Sequence, residues 1–137
     1  KAKIEISFPQ NKILIDKKGV NFKIELQNQT NETLSFLNEF SFTRTLEVTF
    51  IDEDYGRIYV LGRISNGWEQ KPDDPFAYIT LRPNEKKELK ISLTEQTISR
   101  LDLPKGKYKA FVRYGVNMGE NCFKGFLRSD EILVEKE

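Results

Sequence analysis

Val20-Asn21-Phe22-Lys23-Ile24-Glu25-Leu26-Gln27 places an apolar residue at every second position and a polar one between. Successive side chains of a strand point to opposite faces, so this period of two specifies a half-buried strand with one wet face. A helix would need spacings of three and four. The stretch decides the fold because the same pattern recurs outward from it in both directions. Upstream, Ile4, Ile6 and Phe8 alternate with Lys3, Glu5 and Ser7 until Pro9 closes the run. Between the two, Ile13-Leu14-Ile15 is a short apolar piece ended by the turn cluster Asp16-Lys17-Lys18-Gly19. An opening strand broken this way is expected to divide its pairing between two sheets.

Downstream, Asn28-Gln29-Thr30-Asn31-Glu32-Thr33 is a polar turn, and Leu34 and Phe36 open a strand followed by Phe40 and Phe42. Leu46, Val48 and Phe50 alternate with Glu47 and Thr49. Asp52-Glu53-Asp54-Tyr55-Gly56 then turns the chain, and Arg57 to Leu61 returns as the second arm of a hairpin. Gly62 to Pro75 is irregular, with Asn66-Gly67, Trp68, Pro72 and Asp73-Asp74, and reads as a long loop. Loops beyond ~12 residues are uncommon unless they serve a function or are mobile. Phe76 to Leu81 is a strand, Pro83-Asn84 a turn, and Leu89, Ile91 and Leu93 alternate with Glu88, Lys90 and Ser92. Thr94 to Leu103 carries the helix-like signal, with Thr94 as N-cap and Ile98 and Leu101 three apart. Beyond Pro104-Lys105-Gly106, Tyr108, Ala110, Val112 and Tyr114 alternate with Lys109, Phe111 and Arg113. Gly115 to Arg128 reads as a second loop, and Ile132 and Val134 form the last strand. Turn signals at this spacing predict an all-β sandwich of about eight or nine antiparallel strands with Greek-key connections and one short helical turn. No linker divides the chain, so one domain is expected over 1–137.

The order of these motifs resembles an immunoglobulin-like sandwich. Phe22 to Thr30 resembles strand B running into its turn. Leu81-Arg82-Pro83-Asn84-Glu85 before Leu89-Lys90-Ile91 resembles the opening of a later strand. Leu103-Pro104-Lys105-Gly106-Lys107-Tyr108 resembles the entry to strand F, with Tyr108 placed like a tyrosine-corner residue. From Val20 to Tyr114 the series is similar to bacterial immunoglobulin-like domains, including the intracellular proteinase inhibitor-like domains. That resemblance implies the fold and, for the inhibitor-like group, binding to a serine protease. That group carries a tryptophan in the strand after the mid-chain turn. Gly56-Arg57-Ile58-Tyr59-Val60 stands there instead, so no inhibitory residue carries over.

Composition narrows the function classes. Lys and Arg number 22 against 21 Asp and Glu, interleaved throughout, for a formal charge of +1. Lys17-Lys18 and Lys86-Lys87 are short pairs, not a basic stripe, so no nucleic-acid partner is expected. Histidine is absent, which removes the commonest general base and the commonest zinc ligand together. With one cysteine no intrachain disulfide is possible. No apolar run reaches the ~20 residues that span a bilayer. Lys1 leads almost directly into a strand, and a removed signal or lipid anchor upstream fits such a start. The lone cysteine leans toward a reducing compartment, but many periplasmic domains also lack disulfides, and the expected setting is extracytoplasmic in a bacterium, periplasmic or extracellular, with the cytoplasm left open.

The candidate binding residues are Trp68, Tyr55, Tyr59, Asp73 and Asp74. A loop tryptophan anchors interfaces or stacks on sugars, although it also folds back to cap a sandwich end. Asp73 and Asp74 supply polar contacts or simply turn the chain beside prolines. Tyr55, Tyr59 and Tyr78 are the tyrosines placed to reach a surface. Asp52, Glu53 and Asp54 have the oxygens calcium needs, but Tyr55 and Arg57 interrupt any calcium-loop pattern and a hairpin turn accounts for them. Cys122 has no histidine to activate it and reads as a small buried residue beside Phe123. Asn28-Gln29-Thr30 and Asn31-Glu32-Thr33 match the glycosylation acceptor pattern and read as an exposed turn. No catalytic residue, metal site or cofactor is expected. The sequence therefore predicts a non-enzymatic binding or accessory domain contacting another protein through its long loops. Proteinase inhibition and carbohydrate binding are the alternatives.

Overall fold

The structure, a computed structural model, describes residues 3–37, 42, 44–64, 78–116 and 122–137. Its strands are β1 (Ile4–Ser7), β2 (Lys12–Ile15), β3 (Gly19–Asn28), β4 (Leu34–Leu37), β5 (Leu46–Asp52), β6 (Ile58–Gly62), β7 (Tyr78–Leu81), β8 (Lys86–Thr94), β9 (Gly106–Val116), β10 (Gly125–Arg128) and β11 (Ile132–Lys136). One helix, α1 (Glu95–Leu101), joins β8 to β9. No helix among the described residues is long and apolar enough to cross a membrane.

The chain is an all-β sandwich. One sheet has the order β1-β3-β8. The other runs β2-β11-β9-β5-β6, with β10 also on β9, and β4 and β7 form a small third sheet. Inward residues of both large sheets share one core: Ile24, Phe22 and Leu93 from one side meet Leu46, Phe50 and Val112 from the other. The alternating positions of β3 supply Val20, Phe22, Ile24 and Leu26 to the interior, as the opening stretch requires. The β4–β7 pair covers a second, smaller core of Leu26, Phe36 and Leu81.

The broken opening strand divides as its sequence implies. β1 pairs antiparallel with β3, whereas β2 crosses over and pairs with β11. Where β1 has left, the Gln10 side chain takes its place on the β3 edge: Nε2 donates to Lys23 O at 2.8 Å and Oε1 accepts from Lys23 N–H at 3.4 Å. Two expectations need correction. The β2–β11 pair is parallel, because a chain that switches sheets arrives running the same way as the last strand. The strands described number eleven, because the two pieces of the opening strand are separate strands in different sheets and because Gly125–Arg128, expected as loop, forms β10 against Arg113–Val116. That run is short and opens on glycine, so its alternation is weak.

Local signals at the crossover hold. Thr94 caps α1, its hydroxyl accepting from Thr97 N–H at 3.2 Å, and α1 buries Ile98. Tyr108 is a tyrosine corner whose hydroxyl donates to Pro104 O, and Tyr59 and Phe50 meet its ring edge-on. Burial, with Tyr59 and Asp52 adding to it, pushes the Tyr108 hydroxyl up to about 12. The unfolded chain gives up that proton near 10. The folded state therefore binds more protons between the two values, and the stability that Tyr108 contributes is fully present below pH about 10 and lost as pH climbs toward about 12. Tyr108→Phe is expected to cost about 1 kcal/mol at neutral pH through the missing hydrogen bond. It is also expected to flatten the alkaline decline. Urea midpoints followed from neutral to strongly alkaline pH check this, and an equally steep decline in the variant would assign that decline to other groups.

Candidate interaction surface

The β5–β6 hairpin projects one candidate residue into solvent and turns another inward. Asp52 starts the turn: its backbone N–H takes Arg57 O at 2.8 Å, its carbonyl accepts from Gly56 N–H, and Oδ1 accepts from Asp54 N–H at 2.8 Å. The Asp52 carboxylate is thus engaged in shaping the turn. Tyr55 stands at the tip, 82% exposed, its ring 6.0 Å from the Arg57 guanidinium. Tyr59 faces the opposite way, half-buried against the core beside Tyr108. Tyr78 is exposed at the start of β7. Trp68, Asp73 and Asp74 lie outside the described residues.

The outward face of the six-stranded sheet carries residues that the candidate set omits. Register places Ile58 opposite Ile51 and Val60 opposite Thr49, and Thr49 in turn opposite Phe111. Ile58 is 64% exposed and Val60 49%. Further across, Arg128 stacks its guanidinium 3.8 Å from the Phe111 ring centroid, and Arg113 lies 5.4 Å from that of Phe126. Phe126 rests on Gly115, where a Cβ would come within 2.6 Å of its ring. Arg113 also pairs with Glu47 at 3.3 Å, and Glu47 Oε2 accepts from Ile64 N–H at 3.0 Å. The face is therefore an apolar strip bordered by cations. One signal in the sequence could have found it: Ile58-Tyr59-Val60-Leu61 is apolar on both faces, where the other long strands alternate.

The opposite face, on β1-β3-β8, is polar. A groove there of about 550 Å³ is lined by Gln10, Asn21, Lys23, Glu88 and Lys90 together with Phe22 and Ile91, with Lys23 and Glu88 paired at 3.6 Å. Cys122 is half-buried beside Phe123, which packs on Phe36. Burial pushes its thiol up, while Lys124 pulls it down more weakly, so the protonated form dominates near neutrality. Of the two acceptor-like asparagines, Asn31 is exposed, as read. Asn28 is not: it is fully buried, and its Nδ2 donates to both Glu32 O and Leu81 O. A folded chain offers no free amide there for glycosylation.

No protein-family model matches this chain, and no curated protein matches it. Solved structures do. A mutant β-glucosidase from Listeria innocua in complex with laminaribiose is 14% identical, with 99% of this chain and 16% of that one covered and a TM-score of 0.48. The putative ApaA protein from Bordetella pertussis is 13% identical over 99% of this chain and 92% of that one, at 0.47. A CARDB domain from Pyrococcus furiosus, in complex with di-metal ions, is 13% identical over 99% and 89%, at 0.43. The chain spans about one-sixth of the β-glucosidase it matches.

Proposed function

We propose that this chain is a non-enzymatic binding domain that engages another protein through the outward face of its six-stranded sheet. The observation that supports this is the exposure of Ile58 and Val60 on β6, with Tyr55 at the tip of the same hairpin. Each scattered apolar side chain on a surface is ordinary. Several on one arm, continued by Ile51 and Phe111 across the register, form a patch of the kind that marks an interface. Arginines bordering an apolar centre match the composition of protein interfaces.

The immobilised domain is expected to retain a partner from an extract of its source, and Ile58→Lys with Val60→Lys to reduce that retention at least tenfold. Circular dichroism and melting of the variant confirm that it folds. Equal retention by the two forms would overturn the reading. Inhibition of a subtilisin-like protease by excess domain, surviving both substitutions, would favour the inhibitor alternative. Glycan-array binding that likewise survives them would favour the carbohydrate one.

A further inference from the structure

The edge strands of the two large sheets are built differently. β8, which ends the three-stranded sheet, carries Lys86, Lys87, Glu88 and Lys90. Charges along an edge discourage pairing with foreign strands. β6, which ends the six-stranded sheet, reads Ile58-Tyr59-Val60-Leu61-Gly62, with no charge and no proline. Hairpin geometry sets what that edge offers. Asp52 N–H takes Arg57 O, and alternation in an antiparallel ladder then turns the N–H and C=O of Ile58 and Val60 away from β5. Among the described residues, no strand pairs that outer side, although α1 packs near β6. Arg57 and Arg63 bracket the strand, both exposed, and neither forms an ion pair among the described residues.

Charge selects the occupant. In antiparallel self-pairing centred on Val60, Arg57 of one copy would face Arg63 of the other, and directly opposed like charges destabilise a ladder. Lys109 and Arg128 on the same face add to the repulsion of a second copy, while Glu47 is already taken by Arg113. We propose that β6 accepts an extended acidic segment of another protein as an additional strand. The segment is apolar at alternate positions, which pack on Ile58 and Val60, and carries carboxylates at its ends that meet Arg57 and Arg63. This rests on the protein-binding reading and specifies its mode.

The probe is a short synthetic peptide alternating valine and threonine, with paired aspartates at both ends; its counterpart carries lysines there. With the full chain, the aspartate peptide is expected to bind and to slow hydrogen exchange at the Ile58 and Val60 amides. The lysine peptide is expected to bind at least tenfold more weakly. Arg57→Glu with Arg63→Glu, two exposed positions, is expected to reverse that preference. Val60→Pro removes an outward donor while keeping the β5 ladder, and is expected to abolish binding. The proposal falls if the two peptides bind alike or not at all. It also falls if the Ile58 and Val60 amides are already protected in the free chain, or if sedimentation shows a dimer that Val60→Pro dissolves. If it falls while Ile58→Lys with Val60→Lys still loses the retained partner, the binding reading stands and only strand addition is lost; if retention is also unaffected, both go.

Discussion

Asn28→Ala is expected to lower the melting temperature by about 10 °C, the loss of about 3 kcal/mol in a chain of this size. Asn28 ends β3 and is fully buried, with every polar atom of its side chain in use. Nδ2 donates to Glu32 O at 2.7 Å and Leu81 O at 2.9 Å, while Oδ1 accepts from the Thr30 N–H at 3.0 Å and from its hydroxyl at 2.6 Å. Its backbone is tied as firmly, N–H to Glu85 O at 3.1 Å and C=O to Asn84 N–H at 2.6 Å. One side chain thus joins the end of β3, the turn after it, and β7. Alanine leaves the buried Leu81 carbonyl without its donor and the turn without its anchor, and each orphaned buried group costs about 1–3 kcal/mol. Thr30→Ala removes only the partner hydroxyl and is expected to cost about 1 kcal/mol. Thermal unfolding followed by circular dichroism separates the two. A shift below about 3 °C for Asn28→Ala would mean that water replaces the side chain and that the network is not structural.

Asn28 also shows what a single sequence conceals. Strand patterning is legible wherever one face is wet: β3, β8 and most of β9 alternate because each contributes every second residue to the core. Thr94 and Tyr108 were legible because their hydrogen bonds close within four residues. The polar interior around Asn28 was not, since its reach to Leu81 spans 53 residues and Asn-x-Thr reads equally well as an exposed turn. The pairing of β4 with β7 is hidden in the same way. β10 is hidden because Phe126, an outward residue, is apolar; Gly115 beneath it leaves the flat floor that a ring can cover.

The proposed surface is legible in the sequence only in part. The hairpin and its exposed tip tyrosine follow from Asp52 to Gly56, and the structure places Tyr55 where that turn requires. Ile58 and Val60 are hidden in the sequence because apolar residues in a strand look like core. Only the register, which sets Tyr59 and Leu61 inward, shows that their neighbours face out. Trp68, Asp73 and Asp74 lie outside the described residues. The surface argued from β6 therefore stands on different residues from the ones the loops suggested.

Gly19→Ala is expected to be the most damaging alanine substitution among the described glycines, costing more than about 3 kcal/mol. Gly19 sits where β2 turns into β3, bridged to Asp16, with φ at +104°. Two penalties coincide there. The backbone lies in a region L side chains rarely adopt, and a Cβ would fall 2.0 Å from Leu93 O, a backbone atom held in the β3–β8 ladder. That carbonyl cannot swing aside as a side chain would, so relief requires β3 and β8 to separate at the edge of the shared core. Gly56→Ala supplies the control. Its φ is +69°, but nothing lies within 4 Å of the added methyl, so only the conformational penalty of about 1 kcal/mol applies. Urea midpoints of the two variants measure the difference directly. Near-equal losses would mean that the junction relaxes around the methyl, and that close packing of β3 on β8 is not what demands glycine at position 19.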